Sequence, residues 1–207
     1  MAITTAGRVD DPRTVKLACK TTVLFSRCFA MPNAATFSVK PIGEFVQRYL
    51  ADAKISVDPF ARNRDWATYT NDINPNTSAQ SHQDAEAFLA ELAAKNVNAN
   101  LVLFDPPYSP RQVMEHYQAA GLRVTQEDTQ SGRLFKRVRN AIDRIVAPGG
   151  LVLSFGWQSS GMGTARGYAL IETMLVAHGG GHNDTICIAE RKTSVTSHQC
   201  KTSTKGE

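Results

Sequence analysis

The sequence predicts a mainly parallel α/β sheet closed by an antiparallel C-terminal hairpin, and three observations carry that expectation. Short apolar runs alternate with segments of helical periodicity, such as Ile42, Phe45, Val46, Tyr49 and Leu50, which fall on one helical face. The apolar run Asn100 to Phe104 ends abruptly at Asp105-Pro106-Pro107. Two prolines fix φ and remove backbone donors, so a sheet ladder cannot continue through them. Finally, Tyr168–Ala177 and Thr185–Glu190 read as two strands joined by the glycine-rich turn His178 to Asp184.

Taken in order, residues 1–30 are weakly patterned and read as an N-terminal extension, residues 31–192 as the globular domain, and residues 193–207 as a Ser/Thr/Lys-rich disordered tail. A helix begins at Pro41. Lys54 to Asp58 and Trp66 to Thr70 read as short strands, followed by a helix from Asp84 to Lys95 with Phe88, Leu89 and Leu92 inward. After the strand at residues 100–104, Ser109-Pro110 is a helix start, serine as cap and proline in the first turn, and that helix stops at Gly121. Residues 133–146 form a basic amphipathic helix with Leu134, Val138, Ile142 and Ile145 facing in. Pro148-Gly149-Gly150 ends it and leads into the strand Leu151 to Phe155.

Composition narrows the function classes. Hydrophobic content of 42% and charged content of 20% are those of an ordinary globular protein. No apolar stretch approaches the roughly 18 residues of a membrane span, and the N-terminus lacks the charged and apolar regions of a secretory signal. A cytoplasmic protein is expected. The four cysteines are scattered without a Cys-x-x-Cys pair, so neither a zinc site nor any other metal centre is expected. A net charge of +4 permits a polyanionic partner without requiring one.

The chemistry concentrates at Asp105-Pro106-Pro107-Tyr108. In open α/β sheets ligands bind at the carboxyl ends of strands, which is where this tetrapeptide falls. A carboxylate that only accepts hydrogen bonds, outward carbonyls and a flat ring complement an exocyclic amine on a planar base, with its two N–H donors and π face. A plain turn is the other reading of the tetrapeptide taken alone.

These residues resemble the catalytic motif of the S-adenosylmethionine-dependent amino-methyltransferases of DNA. From about Met31 to Lys192 the chain is similar to the N6-adenine DNA methyltransferases, most closely the small ones of phages and prophages. Val39-Lys40-Pro41-Ile42 looks like the segment leading into that family's first strand, and Asp58-Pro59-Phe60 like its first cofactor motif. Asp72 and Asp84 stand where the family places acids that meet the cofactor's ribose and adenine. Ala147-Pro148-Gly149-Gly150 resembles its helix-to-strand turn. The cofactor motif precedes the catalytic one, so the order is unpermuted, and the interval from Tyr108 to Pro148 leaves no room for a large recognition insert. One departure stands out. Ala61-Arg62-Asn63-Arg64-Asp65 follows Phe60 without the family's glycines, so the loop either takes another path or leaves cofactor affinity to Asp58, Asp72 and Asp84.

The resemblance implies a class I methyltransferase (Rossmann-like) fold and methyl transfer from S-adenosylmethionine to the N6 amine of adenine in double-stranded DNA, the base flipped into a pocket formed by residues 105–108. The cofactor side would comprise Lys40, Asp58, Pro59, Phe60, Asp72 and Asp84. Asp72 and Asp84 keep a second reading as turn and N-cap residues. Arg111, Arg133, Lys136, Arg137 and Arg139 are candidates for phosphate contact, the alternative being a solvated basic face. His178 and His182 flank three glycines as a metal pair or, more simply, a hairpin tip, and Trp157 either walls the pocket or fills core. Rival functions are methylation of N4 of cytosine or of an RNA base, and a nucleic-acid- or cofactor-binding module with little turnover. A homodimer would enlarge the surface that grips DNA.

Overall fold

The structure, a computed structural model, describes residues 12–16, 22–107 and 131–193. In chain order the elements are β1 (Arg13–Lys16), β2 (Thr22–Phe29), α1 (Lys40–Leu50), β3 (Ser56–Asp58), β4 (Tyr69–Thr70), α2 (Ala85–Ala94), β5 (Ala99–Phe104), α3 (Ser131–Ile145), β6 (Val146–Gly156), β7 (Tyr168–Ala177) and β8 (Thr185–Lys192). They form one eight-stranded sheet in the order β1-β2-β7-β8-β6-β5-β3-β4. Strands β2, β7, β6, β5, β3 and β4 run in one direction, and β1 and β8 oppose them. The expected mainly parallel sheet with an antiparallel closing hairpin is therefore present.

Strand alternation divides the core into two layers. Leu101 and Leu103 of β5, with Leu153 and Phe155 of β6, pack against Ile42, Phe45 and Val46 of α1. Val102 and Phe104, with Val152, face the opposite layer and meet Phe88, Leu89 and Leu92 of α2 and Val138, Ile142 and Ile145 of α3. Both faces of β5 are covered, which is why its sequence reads as a continuous apolar run. Helix α1 is also tied to the sheet by one buried acid. Glu172 of β7 accepts a bidentate pair from Arg48 at 2.8 and 3.0 Å and the Tyr49 hydroxyl at 2.6 Å.

Four differences from the sequence expectation have local causes. The segment read as an N-terminal extension contributes β1 and β2 to the sheet edge. In β2 the buried positions are Val23, Ser26 and Cys28, while Phe25 and Phe29 are exposed, so the apolar alternation that marks a strand is scrambled. The strand expected at Lys54 to Asp58 starts only at Ser56, because Asn100 and Leu101 both donate to the Ile55 carbonyl and distort the pairing there. The strand expected over Trp66 to Thr70 shrinks to Tyr69–Thr70, because Ser56 and Thr68 exchange side-chain-to-backbone bonds, at 3.0 and 3.1 Å, in place of a ladder. Strand β6 begins at Val146 and carries Pro148-Gly149-Gly150 inside a register shift against β5. The expected helix from Ser109 to Gly121 lies outside the described residues, as does nearly all of the tail.

The loop after β6 is held by Glu190, whose buried carboxylate accepts Met162 N at 2.5 Å and Gly163 N at 2.9 Å. A Cβ on Gly161 would overlap that carboxylate. Gly161→Ala is expected to displace Glu190 and cost about 1–3 kcal/mol in urea denaturation, through overpacking and unsatisfied amides. A loss under about 0.5 kcal/mol, the range of a neutral surface change, would show that the loop yields freely.

Candidate active site

Strands β3 and β5 lie side by side and end together, so Asp58 and Asp105 reach the same edge of the sheet. Asp58 is buried, and its Oδ1 accepts the Phe60 N–H at 3.0 Å, closing the Asp58-Pro59-Phe60 turn. Asp105 follows β5 directly and accepts a hydrogen bond from the Thr36 side chain. Beside Asp105 opens a cleft of about 310 Å³, lined by Thr36, Phe37 and Ser38, by Phe60 to Arg64, and by Asp105 itself.

Burial dominates the electrostatics here. It pushes the Asp105 carboxyl up to about 7, against the opposing effects of the Thr36 bond and of Arg62 and Arg64. Asp58 is pushed up to about 7 by the same cause, the Phe60 amide opposing and the charges of Asp105 and Asp72 adding to the rise. Asp105 thus brings a carboxylate of high proton affinity to the cleft, while Asp58 is buried behind the Phe60 turn.

The glycine-free loop has a structural answer. Arg62 adopts φ of 55°, the left-handed conformation that glycine takes most easily, and its N–H donates to Asp72 Oδ2 at 3.2 Å. Its guanidinium reaches the Ala34 carbonyl at 2.6 Å. Arg64 donates to Ser38 Oγ at 2.6 Å and lies over the rings of Trp66 and Phe37, at 4.6 and 5.6 Å from their centroids. Side chains crossing the cleft hold a path that glycines would otherwise make accessible.

The remaining cofactor-side candidates spread out. Asp72 is buried, and Asn74 N at 2.9 Å takes its other oxygen, so both oxygens serve backbone donors in the turn. Asp84 is the N-cap of α2, accepting Glu86 N at 2.9 Å and Ala87 N at 3.4 Å. Lys40 is exposed at the start of α1, 3.8 Å from Glu44. One residue escaped the sequence reading. Asn71 is fully buried and binds the Pro59 and Gln83 carbonyls through its amide nitrogen and Gln83 N through its oxygen, clamping the loops that follow β3 and β4. Its only signal was a polar pair, Asn71-Asp72, directly after the expected strand Trp66 to Thr70.

On the other side of Asp105-Pro106-Pro107, Pro106 lines a second cavity with Phe104, Phe135, Arg139, Ser154 and Trp157. Helix α3 does not present an unbroken basic face. Arg137 Nε and Nη2 reach Glu86 Oε2 on α2, at 2.6 and 2.5 Å. Arg139 turns inward, donating to the Ser160 carbonyl at 2.6 Å and lying over Phe104 and Phe135. Lys136 is exposed. Tyr108 and Arg111 lie outside the described residues, and the Arg133 side chain is likewise not described.

His178 is a structural residue. Its Nδ1 meets the Ala30 carbonyl at 2.6 Å and its Nε2 meets Thr185 Oγ1 at 2.8 Å, so the ring donates to the carbonyl and accepts from the hydroxyl. Both nitrogens are used, and the metal-pair reading with exposed His182 falls away. Among the described residues no group of three or more His, Cys, Asp or Glu side chains could hold a metal ion, and no helix is long and apolar enough to cross a membrane.

No protein-family model matches the chain, and no curated protein matches it in sequence. Solved structures do match it in shape. The N-methyltransferase NodS from Bradyrhizobium japonicum WM9 aligns over 79% of this chain and 100% of its own, with a TM-score of 0.52 and 9% identity. The chain has the class I methyltransferase fold. The same protein in complex with S-adenosyl-L-homocysteine aligns over 78% of this chain and 90% of its own, at a TM-score of 0.46 and 7% identity. A SAM-dependent methyltransferase from Agrobacterium tumefaciens aligns over 89% and 70%, at 0.44 and 14%. In this fold the cleft between Phe60–Arg64 and Asp105 lies at the carboxyl edge of the parallel strands, where open α/β sheets bind their ligands.

Proposed function

We propose that this chain transfers a methyl group from S-adenosylmethionine to the N6 amine of adenine in DNA. One observation carries the reading: Asp105-Pro106-Pro107 sits directly after β5, at the carboxyl edge of a class I sheet, with Asp105 in the cleft that Phe60 to Arg64 also line. The chemistry of that cleft fits the cofactor. Arg62 and Arg64 suit an α-carboxylate, and Phe60 offers an apolar ring. When bound, the cofactor supplies an electrophilic methyl group.

The chain's own residues must then make a poor nucleophile react. The adenine amine has its lone pair delocalised into the ring. Acceptors aimed at its two N–H groups, the Asp105 carboxylate and the Pro106 carbonyl, favour a more tetrahedral nitrogen with localised electrons. As the new N–C bond forms and the S–C bond breaks, positive charge grows on nitrogen and the fixed carboxylate stabilises it. The proton shed by nitrogen passes to Asp105, whose raised proton affinity suits that task, and from there to solvent. Only the ionised carboxylate can accept. Activity should therefore rise with pH through about 7 and level off above it, falling about tenfold per unit on the acid side. A kcat/KM profile flat from pH 5.5 to 8 would remove Asp105 from this role.

A second reading, transfer to the amine of a smaller acceptor, is favoured by α3: Arg137 is paired with Glu86 and Arg139 faces inward, which weakens the case for a phosphate-binding face. Long-read sequencing of DNA from cells expressing the chain separates the two. N6-methyladenine at a recurring short sequence supports DNA. Unmodified DNA with an active enzyme supports the smaller acceptor.

A further inference from the structure

The cavity beside Pro106 contains an anomaly. Ser154 is 5% exposed, and among the described residues neither its Oγ nor Arg139 Nε has a hydrogen-bond partner, although both atoms are buried. Buried polar atoms are paired in the great majority of cases, and each exception calls for a cause. Here two exceptions line one cavity, together with Phe104, Phe135 and Trp157. Arg139 is not loosely placed. Its Nη2 donates to the Ser160 carbonyl at 2.6 Å, and its guanidinium lies 5.6 and 5.9 Å from the Phe104 and Phe135 ring centroids. The side chain is fixed while its Nε–H has no hydrogen-bond acceptor among the described residues.

The chemistry of the missing partner follows from the donors. Nε–H can only donate, and a serine hydroxyl can donate or accept. Aromatic walls favour a flat, partly apolar group. A ring nitrogen of a planar heterocycle satisfies all three requirements. Pro106 lines the same cavity, so a base whose amine meets the Pro106 carbonyl would bring an adjoining ring edge into it. We propose that Ser154 and Arg139 form a recognition pair for a ring-nitrogen acceptor of the substrate base, and so set which base is admitted. This rests on the base-methylation reading above and adds the residues that select the base.

For adenine, the acceptors nearest the amine are N1 and N7, and deaza analogues remove them one at a time. The test titrates the full chain with 2′-deoxyadenosine and its 1-deaza and 7-deaza analogues, following ligand NMR signals, for wild type, Ser154→Ala and Arg139→Lys. Wild type should bind one deaza analogue about tenfold or more weakly than deoxyadenosine, the size of one lost hydrogen bond to a buried donor. Both variants should lose that discrimination and bind all three nucleosides equally. Ser154→Ala should melt at or above the wild-type temperature, since it deletes a hydroxyl that has no partner to lose. A merely structural serine would show the opposite, a lower melting temperature with discrimination kept.

The proposal is overturned if wild type binds no nucleoside, binds all three alike, or if Ser154→Ala retains wild-type discrimination. The readout is separate from methyl transfer. Loss of discrimination in the variants of a chain that methylates no DNA would sink only the DNA reading. Methylated adenine with unmoved discrimination would sink only the recognition pair.

Discussion

Asp105→Ala is expected to lower kcat at least a hundred- to a thousandfold while cofactor affinity stays within about tenfold of wild type. The magnitude is that of removing one preorganised group which stabilises charge developing in a transition state. The asymmetry follows from placement. Asp105 follows β5 and adds one side chain to the cleft, whereas the loop walls are built by Phe60 to Arg64 and by Thr36 to Ser38. Asp105→Asn sharpens the test. Asparagine keeps one acceptor oxygen but places an NH₂ donor where the amine also donates, so a fraction of the rate should survive. Asparagine does not titrate, so the acid limb of the pH profile assigned to Asp105 should vanish with it. Single-turnover kinetics alongside calorimetric binding of S-adenosylmethionine checks both. Alanine at wild-type turnover, or asparagine with the limb intact, would dismiss the carboxylate from catalysis.

Phe104→Ala should be the most destabilising single change near the site, costing about 3–5 kcal/mol. Phe104 is 2% exposed, the last residue of β5, and it faces the α2–α3 layer. Its ring meets Phe60 and Phe135, each with centroids 6.2 Å away, and underlies Arg139. Removing it opens a cavity and loosens three groups at once: the Asp58-Pro59-Phe60 turn, the start of α3 and the inward guanidinium. Thermal unfolding should shift down by on the order of 10 °C. Phe104→Leu keeps most of the volume and should cost under about 1.5 kcal/mol. A Phe104→Ala loss below about 1 kcal/mol would mean that the core refills, and that the ring does not brace the site.

Much of this arrangement was legible because burial and periodicity agree. Strand β5 is apolar on both faces and stops at two prolines, α1 repeats Ile42, Phe45, Val46 and Tyr49 on one face, and the closing hairpin turns at three glycines. Other parts were hidden for physical reasons. In β2 a serine and a cysteine point inward and two phenylalanines outward, so no alternation marks it. Arginines count as surface by composition, yet Arg139 buries its guanidinium against aromatic rings, and nothing in the spacing of α3 separates it from Arg137. Asp84 kept two readings, and its cap bonds to Glu86 and Ala87 are those of an ordinary helix start. At Arg62 the missing glycine suggested a different loop, but an arginine can hold positive φ when Asp72 and Ala34 fix it at both ends. Ser154 did leave a trace, a lone hydroxyl within Leu151-Val152-Leu153-Ser154-Phe155, which gains meaning only when the cavity beside it is seen.

The most direct test of the account is transfer of labelled methyl from S-adenosylmethionine to DNA by the purified chain, followed by nucleoside analysis. Label is expected in N6-methyladenine, present with wild type and absent with Asp105→Ala. Cofactor binding without any transfer to DNA, or label recovered only in cytosine, RNA or a small amine, would contradict it.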